Sequence, residues 1–397
     1  MSLLSFLSSH SVWIEYFEYK VHNEHLEGKN VKDLFRFIRN QEYLPVINKI
    51  LTNGFSIPTK KKIQKIGVAK KRVVYMFPKR ENNLLKLLTY LLIRKYDSIF
   101  PSNLYSFRAG YGVKNAFQRI LSVPNIENYY SYKVDISDYF NSIDLNILLP
   151  KLSEILKDEI EIYNLIEQLL INPYVEEDGC IKQETKGVMA GSPIAAFLAN
   201  VYLLDVDKRF ENDIYCRYSD DIILFAKTSE ELEEKKDKLL KSLEKFHLKI
   251  NTSKEVITQP HEQWTFLGLK YDDENVDISD VSVKKIKDKM RRKSRALIRW
   301  KRNKGLESVY AVKSFINSFN KKLYNNSVTY EMTWARWYFP LITTDRSLKI
   351  IDNYMQECIR YIAIEKHTKA AYNFKYNQMK DLGFQSLVNN WYKYRKE

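Results

Sequence analysis

Residues 214–225 read IYCRYSDDIILF: two short apolar runs, IYCR and IILF, flank Tyr218-Ser219-Asp220-Asp221. The pattern predicts strand, tight turn, strand. Such a hairpin holds two carboxylates side by side at its tip. Adjacent ionised carboxylates repel, so a buried or paired position for them calls for a cation. Oxygen-rich carboxylate sites suit Mg²⁺, which keeps waters and completes its shell from substrate phosphates. Taken alone, an Asp-Asp pair is also a common surface turn.

The second piece lies 85 residues upstream, in Lys133-Val134-Asp135-Ile136-Ser137-Asp138-Tyr139-Phe140. Tyr129–Ile136 alternates and is rich in Tyr and Val, which predicts a strand with Asp135 at its end. Neighbouring strands can set Asp135 against the Asp220-Asp221 turn. Three carboxylates around one space can hold two Mg²⁺ about 3.5–4 Å apart. One ion lowers the pKa of an attacking hydroxyl, and the other holds a triphosphate and the leaving pyrophosphate. That arrangement fits in-line nucleotidyl transfer.

Outward from these motifs the pattern is mixed. Residues 1–60 carry apolar and aromatic residues at helical spacing. Ile63–Phe77 is β-prone and broken at Gly67, and Leu84–Tyr96 is an apolar helix. Asn146–Ile171 is helical and closes on the turn Asp178-Gly179. Ser192-Pro193 reads as a cap with Pro at the first helical position, opening a helix to about Asn212. Ser229 caps a charged helix over 230–246, short strands follow at Leu248–Ile250 and Trp264–Tyr271, and the pattern after 280 is helical. The fold class expected is α+β, an antiparallel sheet with helices on one side.

The composition is that of a globular protein, with 45% apolar and 28% charged residues. Eleven Gly and 10 Pro exclude collagen-like and low-complexity readings. Three cysteines, at 180, 216 and 358, make neither a CxxC pair nor a disulfide framework. No stretch reaches the roughly 18–20 apolar residues of a membrane span. The opening MSLLSFLSSHSVW has no basic n-region and no small-residue cleavage site, so a cytoplasmic location is the default. The net charge is +15, and it is concentrated. Lys60–Arg80 holds nine basic residues and no acid, and Lys284–Lys304 holds twelve against Asp288. Two separate basic patches suit an extended polyanion gripped at two places, although Lys-rich windows are also ordinary solvated surfaces.

Together these motifs resemble the reverse transcriptases of the bacterial kind, the broad family of group II intron, retron and defence-associated enzymes. KKRVVYMFPKR and LYSFRAGYGVKNA resemble the fingers motifs, and VDISDYF the first palm carboxylate motif. GVMAGSPIAAFLANVYL resembles the template-positioning loop and helix, and RYSDDIILF the Tyr-x-Asp-Asp hairpin. LKINTSKEV resembles the following lysine motif, and WTFLGLKY the primer-grip turn. Any one is weak, but seven in order are specific.

The resemblance implies a right-hand polymerase: a helical extension over 1–60, fingers over 61–131, a palm over 132–270 with a fingers insertion near 145–185, and a helical thumb and tail over 271–397. It implies Asp135 with its neighbour Ile136, Asp220 and Asp221 as metal ligands for two Mg²⁺ ions, with Mn²⁺ as a substitute. Lys71, Arg72 and Arg108 would face the incoming triphosphate, and Gly191 would sit in the nucleotide-facing loop. Fingers lysines can equally face solvent or template backbone. Lys254 matches the position that protonates pyrophosphate, where a surface lysine would look the same. Gly268 would let the primer strand approach, or mark an ordinary strand bulge. Phe140, five residues after Asp135, falls where the family places an aromatic gate. A ring under the sugar rejects a 2′-hydroxyl, while the alternative is a core aromatic. RNA-dependent RNA polymerases usually carry a second Asp at that spacing, and Asp138 is two residues too early for it.

One motif departs from the family pattern. Anchored on Leu198-Ala199-Asn200, Ser192-Pro193 stands three residues early, and Ala190 occupies the usual Gln place. About 126 residues follow the palm, too few for an added RNase H domain, and no His/Cys cluster suggests a zinc-bearing endonuclease. The Asn-Ala-x-x-His and Val-Thr-Gly signatures of retron enzymes are not found. The C-terminal run TWARWYFPLITTDRSLKIIDNYMQECIRY with KDLGFQSLVNNWYKYRKE resembles the tail of stand-alone "unknown group" and abortive-infection reverse transcriptases. The function expected is RNA-templated DNA synthesis from dNTPs in antiphage defence, with a structured non-coding RNA as template and DNA as product. The alternatives are an untemplated or protein-primed nucleotidyl transferase, or an RNA-dependent RNA polymerase, on the same palm.

Overall fold

The computed structural model describes residues 2–23, 26, 28–64, 71–324, 333–366 and 368–396. The break expected at Gly67, with Lys65 and Lys70, lies outside them. The chain forms two compact units, Met1–Pro260 and His261–Glu397. Among the described residues no helix is long and apolar enough to cross a membrane.

The N-terminal unit opens with helices Leu3–Ser8, His10–His22, Lys29–Arg39 and Tyr43–Asn53. Trp13 and Tyr43 stack at 5.1 Å in their core. Two four-stranded sheets follow. The first has the order β2-β1-β4-β5, with β1 (Thr59–Gln64), β2 (Lys71–Met76), β4 (Tyr174–Glu177) and β5 (Cys180–Gln183). Thr59 pairs with Glu176 in parallel, so the β4–β5 hairpin joins β1 and β2 in one sheet. Its two-residue turn, Asp178-Gly179, has positive φ at both positions (54° and 81°), the geometry a tight hairpin requires.

The second sheet has the order β6-β7-β3-β8 and is antiparallel throughout, with β3 (Tyr130–Asp135), β6 (Ile214–Tyr218), β7 (Asp221–Ala226) and β8 (Val256–Thr258). Ile222–Ala226 is an unbroken apolar run because β7 is an inner strand buried on both faces. Helix Ser229–Lys245 covers β3 and β7 with Leu232, Leu239 and Leu243.

Several expected boundaries shift. The span 146–171 is two helices, Leu145–Ile155 and Ile160–Ile171. Ser192 does not cap a helix: its Oγ is buried without a partner, and the helix starts at Ala195, ends at Tyr202 and resumes over Leu204–Arg209. Thr228, not Ser229, caps the charged helix, its Oγ1 accepting from Glu231 N at 3.2 Å. Leu248–Ile250 contributes only a bridge between Ile250 and Ile136.

The C-terminal unit begins with β9 (Trp264–Phe266), β10 (Leu269–Asp272) and β11 (Asn275–Ile278), a separate antiparallel sheet. The sequence reading ends the palm at 270 with a single strand, Trp264–Tyr271, and has no strand at 275–278. The three strands belong to the second unit because β11 is tied there: Val276 N donates to Thr343 Oγ1 at 2.9 Å, Thr343 N to Val276 O at 2.8 Å, and Ser347 Oγ to Ile278 O at 3.1 Å. Helices Asp280–Lys304, Ser308–Leu323 and Arg346–Ile364 pack together behind them. The first buries Val283, Ile286, Met290, Leu297 and Ile298, and exposes Lys284, Lys285, Arg291, Arg292, Arg295 and Arg299.

Candidate active site

The register of β3 on β7 sets Asp135 directly opposite Asp221. Residues directly opposite in an antiparallel pair share a face, with Cβ atoms about 4.5–5.5 Å apart. Ile136 N donates to Asp220 O at 2.9 Å, which pins the strand end to the turn. Tyr218 pairs with Asp221, leaving Ser219 and Asp220 as a two-residue turn. Ser219 has φ 61°, a left-handed conformation that an L-residue keeps only where its surroundings impose it. Ser219 N donates to Ser106 Oγ at 2.9 Å, and Ser219 O accepts from Arg217 Nη1 at 3.2 Å.

Burial raises the Asp221 carboxyl to about 6, with the charges of Asp220 and Asp135 adding to it. Asp220 is raised by burial and then by Asp135, and the charges of Lys254 and Arg72 work the other way. The three carboxyls thus share one electrostatic space. Lys254 Nζ lies 2.7 Å from Asp135 Oδ1. Burial works to lower the Lys254 ammonium, but the hydrogen bond to Asp135 and the charges of Asp221 and Asp220 outweigh it and raise it. Lys254 is bonded to Asp135, while the charges of Lys133 and Arg72 also reach Asp221 and Asp220. Among the described residues no three acidic, imidazole or thiol groups are arranged as a finished metal cage. The donor set still fits a hard divalent cation: adjacent, half-buried oxygens whose mutual repulsion a cation relieves.

The remaining residues divide. Lys71 and Arg72 are exposed at the start of β2, and the Arg72 charge reaches Asp220. Gly191 (φ 98°) lies against the same strand: a Cβ there would meet Val74 Cβ at 3.2 Å, and Ala190 O accepts from Tyr75 N at 2.8 Å. The loop is therefore docked on the strand that carries both basic residues. Phe140 is half-buried on the short helix Tyr139–Ser142, its ring 6.3 Å from Phe107 in an edge contact.

Arg108 corrects the sequence reading. Its guanidinium makes a two-point ion pair with Asp97 (2.8 and 3.0 Å), donates to Pro101 O and Leu104 O, and stacks on Tyr111 at 3.9 Å. It is buried and fully engaged, so it anchors its loop rather than facing a triphosphate. Gly268 sits in the C-terminal unit with φ 87°, where a Cβ would lie 2.9 Å from Tyr338 Oη and 3.1 Å from Ser282 Oγ. Packing within that unit accounts for the glycine.

Sequence reasoning missed the brace behind the hairpin. Arg217 and Asp207 form an ion pair with both side chains fully buried, joined by Tyr215 Oη, which donates to Asp207 Oδ1 at 3.0 Å. Asn200 Nδ2 donates to Ser106 O at 2.9 Å, holding the serine that caps the turn. The available signal was an arginine inside an otherwise apolar strand, where a charge survives only when paired.

Gly187 packs against the backbone of Phe140. With φ 51°, a Cβ there would lie 2.4 Å from Phe140 O. Gly187→Ala is expected to cost about 2–3 kcal/mol through left-handed strain and backbone displacement, read as a lower urea midpoint. An unchanged midpoint would refute this contact.

A family model, reverse transcriptase (RNA-dependent DNA polymerase), matches residues 59–271. The chain is 26% identical to the Retron Ec86 reverse transcriptase of Escherichia coli over 277 residues, 68% of this chain and 78% of that protein. It is 29% identical to the Putative COX1/OXI3 intron 2 protein of Saccharomyces cerevisiae over 125 residues, 30% of this chain and 14% of that protein. A truncated apo telomerase from Candida tropicalis aligns with TM-score 0.46 at 15% identity, over 57% of this chain and 55% of that one. The retron enzyme is a relative even though the two retron signatures are missing from this sequence. The fold is that of a right-hand polymerase; the three carboxylates lie in the N-terminal unit, and the C-terminal unit carries the basic helix Asp280–Lys304. With over half of its length matched and its carboxylates in register, the chain belongs to the reverse transcriptase family.

Proposed function

We propose that this chain copies RNA into DNA at the Asp135–Asp220–Asp221 site, with two Mg²⁺ ions that Mn²⁺ can replace. The observation that carries the reading is the β3–β7 register, which brings carboxylates 86 positions apart in sequence onto one face. Asp135, Asp220 and Asp221 would hold the metal, with Ile136 at the strand end. Divalent ions bound there supply acidity to the primer 3′-hydroxyl and charge for the leaving pyrophosphate. Arg72 offers its guanidinium to the triphosphate, with Lys71 beside it. Lys254 stands by Asp135 as a proton donor for pyrophosphate. The exposed cations of helix Asp280–Lys304 suit the phosphates of a duplex. The template proposed is a structured non-coding RNA, the setting cytoplasmic antiphage defence. The likeness to a retron enzyme and the resemblance of the C-terminal tail support that placement.

The test is primer extension by the purified chain with dNTPs or NTPs, before and after RNase treatment. DNA synthesis that RNase abolishes is expected. Equal incorporation without template would replace this reading with an untemplated transferase. In the same assay Phe140→Val is expected to raise ribonucleotide incorporation at least about tenfold, the scale at which a pocket contact discriminates. Unchanged sugar selectivity would remove Phe140 from that role.

A further inference from the structure

Within the N-terminal unit the loop 187–191 is fastened on two sides. On one side is the short helix Tyr139–Ser142: Val188 N donates to Phe140 O at 2.9 Å, and Ala190 N donates to Asn141 Oδ1 at 3.0 Å. On the other is β2, where Tyr75 N donates to Ala190 O at 2.8 Å. Ala190 is therefore bonded through its N–H to the residue after Phe140, and through its carbonyl to the strand that carries Arg72. A backbone N–H only donates, so it fixes the oxygen end of the Asn141 amide on the loop. Ala190 is 2% exposed, so its N–H would be left without a partner if that oxygen were removed. The loop depends on such bonds. Gly187, Met189 and Gly191 alternate in left-handed conformations (φ 51°, 60° and 98°), and a methionine stays there only where its surroundings over-determine it.

We propose that Asn141 is a positioning residue for the incoming nucleotide, setting through Ala190 the spacing between the Phe140 ring and the Arg72 guanidinium, an inference that rests on the roles proposed for those two groups at the sugar and the triphosphate. Phe140 precedes Asn141, and Arg72 stands three positions before Tyr75 on β2, with its charge reaching Asp220. A nucleotide that touches both groups is seated only where their separation is fixed. The run Phe140–Asn141–Ala190–Tyr75–Arg72, part covalent and part hydrogen-bonded, fixes it. The carboxylates are held by other means, the β3–β7 register and the bonds of Ser106 and Arg217 to the turn. Loss of the Asn141 oxygen therefore loosens the seat and leaves the carboxylates in place. An interaction lost equally from bound substrate and transition state raises KM and leaves kcat unchanged.

The test is steady-state primer extension by the full chain on an oligo(A) RNA template with an oligo(dT) primer, with dTTP and UTP titrated separately. Asn141→Leu, close in volume but without an acceptor, and Asn141→Ala are compared with the parent and with Phe140→Val, and each melting temperature is recorded. The two sizes guard against one variant that fails to fold. The Asn141 variants are expected to raise KM for dTTP about tenfold, the scale of one unsatisfied buried donor, with kcat within about twofold of the parent. Their preference for dTTP over UTP should fall as well. An unchanged KM, or a fall in kcat as large as the rise in KM, overturns the inference. Loss of folding in both variants overturns it too, because Asn141 would then be structural only. Failure of the underlying roles reads differently. If Phe140→Val leaves the sugar preference unchanged while the Asn141 variants raise KM, the role of Phe140 falls and the spacing role stands on the Arg72 side. A parent chain that incorporates no dTTP removes the proposed function and this inference together.

Discussion

Asp221→Asn is expected to lower dNTP incorporation by about three orders of magnitude and at the same time to raise the melting temperature. The first half follows from charge. Asparagine keeps the shape and one acceptor but loses the anion that a divalent ion needs. An ion's several kcal/mol of transition-state stabilisation, at about 1.4 kcal/mol per tenfold, is about a thousandfold. The second half follows from the site as it stands. Asp221 is half-buried opposite Asp135 and beside Asp220, and its carboxyl is raised to about 6 by burial and those two charges. A group whose folded-state pKa is raised favours the folded state when protonated. Its ionisation, complete at neutral pH, therefore costs stability, and that cost sets in as pH rises from the unfolded value towards about 6. Removing the charge recovers on the order of 1 kcal/mol, a rise of a few degrees. Asp138→Asn, an exposed carboxylate nearby whose left-handed conformation (φ 48°) asparagine tolerates, is the control and should leave both measurements unchanged. A merely structural role for Asp221 would lower stability and activity together.

What could be read from the chain alone followed from period and chemistry. Asp135 and Asp221 end strands of clear alternating or apolar pattern, so their register could be anticipated from residue types. Arg108 could not, because its partners are Asp97 and two backbone carbonyls, and nothing in SFRAGYG distinguishes a buried guanidinium from one aimed at phosphate. The unit boundary was hidden for a related reason. Strands of three and four residues carry little pattern, and the hydrogen bonds that assign β11 to the second unit come from Thr343 and Ser347, nearly 70 positions away. Ser192 looked like a helix cap by composition. The structure starts that helix three residues later and leaves its hydroxyl unbonded.

Arg217→Met is expected to destabilise the N-terminal unit by 3–5 kcal/mol, the usual range, at about that order, for removing one partner of a buried pair. Arg217 and Asp207 are both fully buried. Burial works against the Arg217 charge, and the Asp207 carboxylate more than offsets it, raising the guanidinium. Methionine leaves Asp207 with the Tyr215 hydroxyl and Asn103, which donates only to its backbone carbonyl. The orphaned charge must then be solvated or protonated, and a fall in melting temperature of about 10 °C should follow. Arg217→Met combined with Asp207→Leu should recover most of that loss, because desolvating two charges cancels much of what the pair contributes. Activity should not recover with it. Arg217 Nη1 also donates to Ser219 O, and that bond supports the left-handed turn on which Asp220 and Asp221 ride. A stable double variant with much reduced incorporation would identify Arg217 as a positioning residue for the hairpin. A double variant that regains stability and full activity would reduce the pair to packing alone.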